Sequence, residues 1–163
     1  MNRVLYLDFE GSHAKGVRQI GYLITEDNKI TKAEEKNDDD AVKCLFSLQK
    51  NEFRYIAAHN SFVEKNFLKK YFPYHFNQKT KRVREYIWLD SLNIYRSLYP
   101  NLKNYDLKFL VNTFIDSNIL KAETENRCKK NEDKFHHPLF DAICVYLLIE
   151  RLKSRINLDQ FLQ

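Results

Sequence analysis

A strand-like segment near the amino terminus constrains this chain more than any other feature. Val4-Leu5-Tyr6-Leu7-Asp8-Phe9-Glu10 is rich in aliphatic and aromatic residues, which favours a β-strand. Because alternate residues of a strand face the same way, Asp8 and Glu10 share one face. Two carboxylates placed together on an apolar strand repel each other unless a cation lies between them. The segment therefore predicts a site for a divalent cation with oxygen ligands, and a solvent-exposed strand face is the alternative.

The remaining sequence alternates between strand-like and helix-like patterns. Hydrophobic periodicity predicts strands at residues 4–9, 19–25, 29–33, 53–58 and 86–89, with a hairpin turn at residues 26–29. Helices are predicted after the run Asn37-Asp38-Asp39-Asp40 and at residues 61–71, 91–98, 106–114 and 138–153. This interleaving predicts an α/β fold in which a mixed central sheet of about five strands is flanked by helices. The length of 163 residues favours one domain spanning residues 1–163.

Composition limits the class of protein and its surroundings. Hydrophobic residues make up 44% of the chain, which provides material for a core and excludes wholesale disorder. The net charge of +5 suits a polyanionic partner. Three cysteines without zinc-type spacing predict free thiols in a reducing compartment. An acid at position 8 interrupts any signal-peptide-like start, and no apolar run approaches the roughly 18 residues of a membrane span. We therefore expect a cytoplasmic protein with no membrane partner.

A second polar cluster, His59-Asn60-Ser61-Phe62-Val63-Glu64, follows the predicted strand at residues 53–58. Ligands of α/β sheets collect beyond the carboxyl ends of strands, and Asn60 and Ser61 suit the start of a helix. Glu64 has two interpretations. It is either a ligand at the helix start, or the partner of Ser61 in a capping box, where its carboxylate accepts a hydrogen bond from a backbone amide.

A third cluster, His136-His137-Pro138-Leu139-Phe140-Asp141-Ala142, precedes and opens the last predicted helix. Pro138 suits the first helical position, which places Asp141 one turn into the helix and His136 on the loop before it. An imidazole there suits a general base, because its ordinary pKa lies near neutrality. The alternative is a polar loop followed by an acid that favours the positive end of the helix dipole. Lysines at positions 129, 130 and 134 flank His136 and suit phosphate contacts.

In their order and spacing, the three clusters resemble the motifs of the DEDDh branch of the DnaQ-like 3′–5′ exonucleases, which have the RNase H-like fold. Asp8-Phe9-Glu10 matches Asp-x-Glu, the second cluster resembles His-Asn-x-x-x-Asp, and the third is similar to His-x-Ala-x-x-Asp-Ala. Two positions depart from this pattern. Glu64 stands where the family has Asp, and Pro138 stands where Ala is usual.

The resemblance implies a nuclease that hydrolyses single-stranded DNA or RNA from the 3′ end and releases nucleoside 5′-monophosphates. It implies that His136 is the general base and that two divalent ions, Mg²⁺ or Mn²⁺, are held by Asp8, Glu10, Glu64 and Asp141. It further implies substrate contacts from Phe9, Gly11, Ser12, His59 and Asn60. The sequence identifies no protein partner.

Glu64 leaves two other readings open. Its extra methylene lengthens the reach to a metal by about 1.5 Å, the length of one carbon–carbon bond, so activity could be weakened or lost. One alternative is therefore a nucleic-acid-binding module with weakened catalysis on the same fold. The other is a proofreading or accessory subunit that acts with a partner.

Overall fold

The computed structural model describes residues 2–12, 14–71, 75–77 and 82–163, with the backbone alone described for 75–77 and 82–84. The strands are β1 (Arg3–Ser12), β2 (Gly16–Glu26), β3 (Lys29–Asn37), β4 (Tyr55–Ala58), β5 (His75–Asn77), β6 (Arg82–Arg84) and β7 (Trp88–Asp90). The helices are α1 (Asp38–Leu48), α2 (Phe62–Tyr71), α3 (Ser91–Leu98), α4 (Leu107–Phe114), α5 (Ser117–Glu125) and α6 (Pro138–Lys153), followed by a short 3-10 helix (Leu158–Phe161).

Five strands form one mixed sheet in the order β3-β2-β1-β4-β7. Strands β1, β2 and β3 are antiparallel neighbours, whereas β4 and β7 run parallel to β1. The first turn has Asp27 and Asn28 at φ 47° and 69°, which matches the type I′ hairpin preferred by right-twisted strands. The predicted mixed α/β sheet of about five strands is confirmed.

Two apolar cores cover the two faces of this sheet. Leu5, Leu7 and Phe9 of β1 pack with buried residues of α1 and α2. Val4 and Tyr6 face the other way and pack with α3, α4 and α6. Helix α6 is buried along most of its length, and each fully buried leucine contributes on the order of 2 kcal/mol to stability. Asp8 continues the Tyr6 face, which directs it toward α6.

Sequence patterns located the long elements better than the short ones. Helices α3 and α6 begin and end at the predicted residues, while β1, β2 and β3 are longer than predicted. Helix α5 and the small hairpin of β5 and β6 were not predicted. In α5 only Thr124 is buried, so its sequence lacks the apolar stripe by which a helix is recognised.

The start of α6 rests directly on β2 at Gly21. A Cβ atom at this glycine would lie 1.9 Å from the backbone nitrogen of Leu139 and 2.0 Å from the carbonyl carbon of Pro138. Only a residue without a side chain permits this approach. Gly21 pairs with Asp8 on one side and with Glu35 on the other, so these two acids flank the helix start on the same sheet face.

Within the described residues, no helix combines the length and the apolar character needed to cross a membrane.

We predict that Gly21→Ala destabilises the protein, although replacing glycine by alanine in a strand is ordinarily neutral or stabilising. The added methyl group meets backbone atoms of Pro138 and Leu139 and forces α6 away from the sheet. We expect the free energy of unfolding, measured by urea denaturation, to fall by about 1–3 kcal/mol. An unchanged or higher free energy would show that α6 does not require the glycine.

Candidate active site

Asp8 of β1 lies near three other carboxylates. Asp8 is half-buried, and burial raises the pKa of its carboxyl well above the ordinary value. The charges of Glu64, Asp141 and Glu10 raise that pKa further, in this order. Charges shift a pKa strongly only over short distances, so Asp8 shares one electrostatic neighbourhood with the other three predicted acids.

Helix α6 supplies Asp141 from its first turn. Its Oδ2 atom accepts a hydrogen bond from the backbone nitrogen of His136 at 3.1 Å. Its Oδ1 atom is buried and has no hydrogen-bond partner among the residues that the structure describes. Burial raises the pKa of Asp141 to about 6, partly offset by that backbone hydrogen bond. The side chain of His136 is exposed, and its backbone adopts the left-handed conformation with φ 71°.

Helix α2 supplies Glu64, which is only 4% exposed. Its Oε2 atom is buried without a hydrogen-bond partner in the part of the chain that the structure describes. Burial raises the pKa of Glu64 from 4.5 to about 8. In a capping box Glu64 would accept from the Ser61 backbone nitrogen, but that nitrogen donates to Asp90 Oδ2 at 2.9 Å. The geometry therefore favours a carboxylate aimed at the site over a cap.

Asp90, at the end of β7, is a buried positioning residue that the sequence analysis missed. It accepts hydrogen bonds from the backbone nitrogens of Asn60 and Ser61, from the Ser61 hydroxyl and from the Leu92 backbone nitrogen. It thus caps α3 and fixes the start of α2. Strands β4 and β7 are parallel neighbours, so Asp90 at the end of β7 lies beside His59 and Asn60, which follow β4. An acid at the carboxyl end of an apolar strand is the sequence signal that could have predicted this role.

His59 and Asn60 belong to this Asp90 network. The Nδ1 atom of His59 lies 2.9 Å from the Ser91 hydroxyl, and burial lowers the pKa of the imidazole. Asn60 is exposed and takes the left-handed conformation with φ 58°. The charge of Asp90 adds to the raised pKa of Glu64, which connects the network to the carboxylate group.

The other predicted substrate contacts lie at the end of β1. Phe9 is 7% exposed and packs on Phe67 with ring centroids 6.1 Å apart, so any substrate contact would come from its backbone. Gly11 and Ser12 are exposed, and the pairing with β2 shifts register between Glu10 and Gly11. A bulge at this point turns the strand end away from the sheet and leaves its backbone accessible.

These carboxylates fit divalent cations. Two of them, Glu64 and Asp141, each present a buried oxygen that lacks a hydrogen-bond partner among described residues. A buried carboxylate without a partner is costly, and a cation would offset that cost. Within the described residues, no three of the four acids bring ligand oxygens within 4.8 Å of one another.

We predict that the metal-free protein becomes less stable as the pH rises from about 5 to 8. In this range the Glu64 carboxyl is protonated when folded, because its pKa is about 8, and ionised when unfolded. The folded state therefore binds the extra proton, and stability falls by up to about 1.4 kcal/mol per pH unit. Urea denaturation in EDTA should show Glu64→Gln to be more stable than the original protein at pH 8 and similar at pH 4.5.

Glu125→Gln is the matched control, because Glu125 is exposed and pairs with Lys121 at the surface. Its stability should follow that of the original protein across the range. Equal pH dependence for Glu64→Gln and the original protein would contradict the buried, raised-pKa carboxyl.

Comparisons with known proteins relate this chain to others by structure alone. No protein-family model matches the sequence, and no curated protein matches it. The structure is similar to that of Exonuclease X in complex with 5′ overhanging duplex DNA, with a TM-score of 0.57 and 15% sequence identity. That match covers 99% of this chain and 97% of the other.

A second similar structure is that of E. coli Exonuclease I in complex with a 5cy-dT13 oligonucleotide. The TM-score is 0.58, the identity is 14%, and the match covers 94% of this chain and 40% of the other. At such low identity a structural match identifies a fold. Both matches agree with the five-stranded mixed sheet and its helices. The chain therefore has the RNase H-like fold of the DnaQ-like exonucleases, as its sequence predicted.

Proposed function

We propose that this protein is a metal-dependent 3′–5′ exonuclease of the DEDDh type. The main support for the proposal is that the charges of Glu64, Asp141 and Glu10 all raise the pKa of Asp8, within a fold shared with two exonucleases. The proposed product is a nucleoside 5′-monophosphate. The proposed unit is one domain spanning residues 1–163, acting in the cytoplasm.

Asp8, Glu10, Glu64 and Asp141 would hold two Mg²⁺ or Mn²⁺ ions. Such ions, when bound, neutralise phosphate charge and acidify water at a scissile phosphodiester. Among the protein's own groups, His136 is the proposed general base, because its imidazole is exposed beside Asp141 and can accept a proton from the attacking water. The hydrogen bond from the His136 backbone nitrogen to Asp141 Oδ2 supports this assignment, because it holds the His136 backbone next to that carboxylate.

The proposed substrate is the 3′ end of single-stranded DNA or RNA. The net charge of +5 and the exposed lysines at positions 129, 130 and 134, just ahead of His136, favour binding of a phosphate backbone. Both similar structures hold DNA, one as an overhanging duplex and one as an oligonucleotide. The exposed backbone of Gly11 and Ser12 is the proposed contact for the terminal nucleotide.

A second candidate is a nucleic-acid-binding module with weakened catalysis, acting alone or as an accessory subunit. Glu64 favours it, because the carboxylate is nearly fully buried and longer than the family's Asp. A fixed carboxylate of the wrong length would displace a bound ion. Measuring Glu64→Asp beside the original protein separates the two candidates.

We predict that the purified protein shortens 5′-labelled DNA or RNA single strands one nucleotide at a time in the presence of Mg²⁺ or Mn²⁺. Asp8→Asn should abolish the shortening, because Asp8 is the acid on which the charges of the other three act. Gel electrophoresis of timed samples, with and without EDTA, measures the result. Glu125→Gln, with its surface carboxylate, is the control that should retain full activity.

A retarded strand that is never shortened, by either the original protein or Glu64→Asp, would support the binding module. Shortening by Glu64→Asp alone would show that Glu64 has weakened an exonuclease. Cleavage of strands lacking a free 3′ end, or undiminished activity of Asp8→Asn, would contradict the exonuclease proposal.

We predict that His136→Asn lowers turnover by about 10²–10⁴-fold while the protein stays folded. Asparagine tolerates the left-handed backbone found at this position, with φ 71°, but cannot act as a base. Single-turnover rates should fall, whereas Mn²⁺ binding measured by calorimetry should be unchanged. Equal rates for His136→Asn and the original protein would exclude the imidazole as the base.

A further inference from the structure

Three potential metal ligands outside the four-acid group meet near the start of α6. Glu35 lies on β3, Glu132 lies on the loop between α5 and α6, and His137 directly precedes α6. One ligand atom from each lies within 4.8 Å of the other two. Across the described ranges, no other three His, Cys, Asp or Glu side chains approach one another this closely. All three side chains are half-buried.

The two carboxylate oxygens of Glu35 differ in their hydrogen bonding. Its Oε2 atom accepts a hydrogen bond from the Leu139 backbone nitrogen at 3.1 Å, which fixes the carboxylate against the helix start. Its Oε1 atom is buried and has no hydrogen-bond partner among the groups that the structure describes. A fixed carboxylate with a buried, unsatisfied oxygen is preorganised for a ligand that the protein itself does not supply.

The side chains of His137 and Glu132 make few strong interactions with the described residues. His137 occupies the cap position of α6, yet its side chain makes no capping hydrogen bond. Glu132 contacts Lys129 at 3.7 Å, a pair in which the lysine side chain is 64% exposed. An exposed pair of this kind contributes little to stability, so it would not compete strongly with a metal ion.

We propose that Glu35, Glu132 and His137 bind a first-row transition metal ion such as Zn²⁺. An imidazole nitrogen with two carboxylates suits Zn²⁺, whereas Mg²⁺ and Ca²⁺ prefer all-oxygen surroundings. Three protein ligands leave a coordination position for water, as in sites that are not fully enclosed by protein. The half-burial of all three side chains leaves room for that water.

This proposed site is separate from the four acids, and its ligands come from other residues. Asp8, Gly21 and Glu35 form one row across three strands, so Asp8 and Glu35 lie roughly 10 Å apart, two strand spacings. A bound ion would tie the loop at residues 126–137 to β3. Because His136 is the last loop residue before His137, the ion would hold the proposed base in place. The inference itself does not depend on the proposed nuclease activity.

We predict that the Asp8→Asn protein, freed of metal by chelation, binds one Zn²⁺ per chain in calorimetric titration. The substitution disables the four-acid group, so the remaining binding reports on the new site. Adding His137→Ala or Glu132→Gln should weaken that binding by more than about tenfold. Loss of a residue that only supports a metal ligand already weakens metal binding by about tenfold or more, so loss of a ligand should weaken it further. Adding Glu125→Gln should leave it unchanged, because the Lys121–Glu125 surface pair resembles Lys129–Glu132 but lies outside the site.

Co²⁺ provides a second measurement that does not depend on how well Asp8→Asn folds. In the original protein, the visible absorption of bound Co²⁺ should contain a component that His137→Ala removes and Glu125→Gln keeps. Loss of the imidazole nitrogen changes the ligand field only if His137 is a ligand. Identical spectra for His137→Ala and the original protein would overturn the proposal.

Limited trypsin digestion tests the effect on the loop. Zn²⁺ should slow cleavage after lysines 129, 130 and 134, which are exposed, because local opening of the loop precedes cleavage. Cleavage after Lys15, which lies between β1 and β2, should keep its rate. The same protection in Glu132→Gln, or absence of Zn²⁺ binding to the Asp8→Asn protein, would exclude this site whether or not the protein is a nuclease.

Discussion

The direct contact between α6 and β2 at Gly21 is the constraint on which the site depends. Helix α6 carries Asp141, and strand β1, paired with β2, carries Asp8. The absence of a side chain at Gly21 lets the helix start descend onto the sheet, so the two carboxylates approach each other. The same contact brings the Leu139 backbone nitrogen to Glu35 on the opposite side. A single missing methyl group thus organises acids on the two strands that flank β2, Asp8 and Glu35, and on one helix, Asp141.

The carboxylates themselves oppose folding when no cation is bound. Burial raises the pKa of Asp8, Glu64 and Asp141, which means that each ionised form is less stable in the folded protein than in water. The apolar cores on both sheet faces offset this cost, since most of α6 and β1 is buried in them. The candidate site is therefore a place where the fold buries acids whose ionised forms it does not stabilise. Such local instability is typical of sites built for a ligand.

Local sequence patterns predicted the sheet and most helices because their periodicity is strong, as in β1 and α6. They missed α5, whose only buried residue is Thr124, because partial burial leaves no apolar stripe. The four acids of the candidate site were predicted from motif spacing, whereas no role was predicted for Asp90 or Glu35. Their roles arise from contacts with residues about 30 and 104 positions away, the Asn60–Ser61 backbone and Leu139. Spacing along a chain carries no information about which strands become neighbours.

Two residues with left-handed backbone precede the helices of the site. Asn60 lies two positions before α2 begins, and His136 lies two positions before α6 begins. Valine, isoleucine and threonine are strongly disfavoured in this conformation, whereas Gly, Asn, Asp and His adopt it more readily. Evolution can therefore vary positions 60 and 136 only within a narrow set of amino acids. In proteins that share this fold at about 15% identity, the amino acids at the positions equivalent to 60 and 136 should stay restricted for backbone reasons alone.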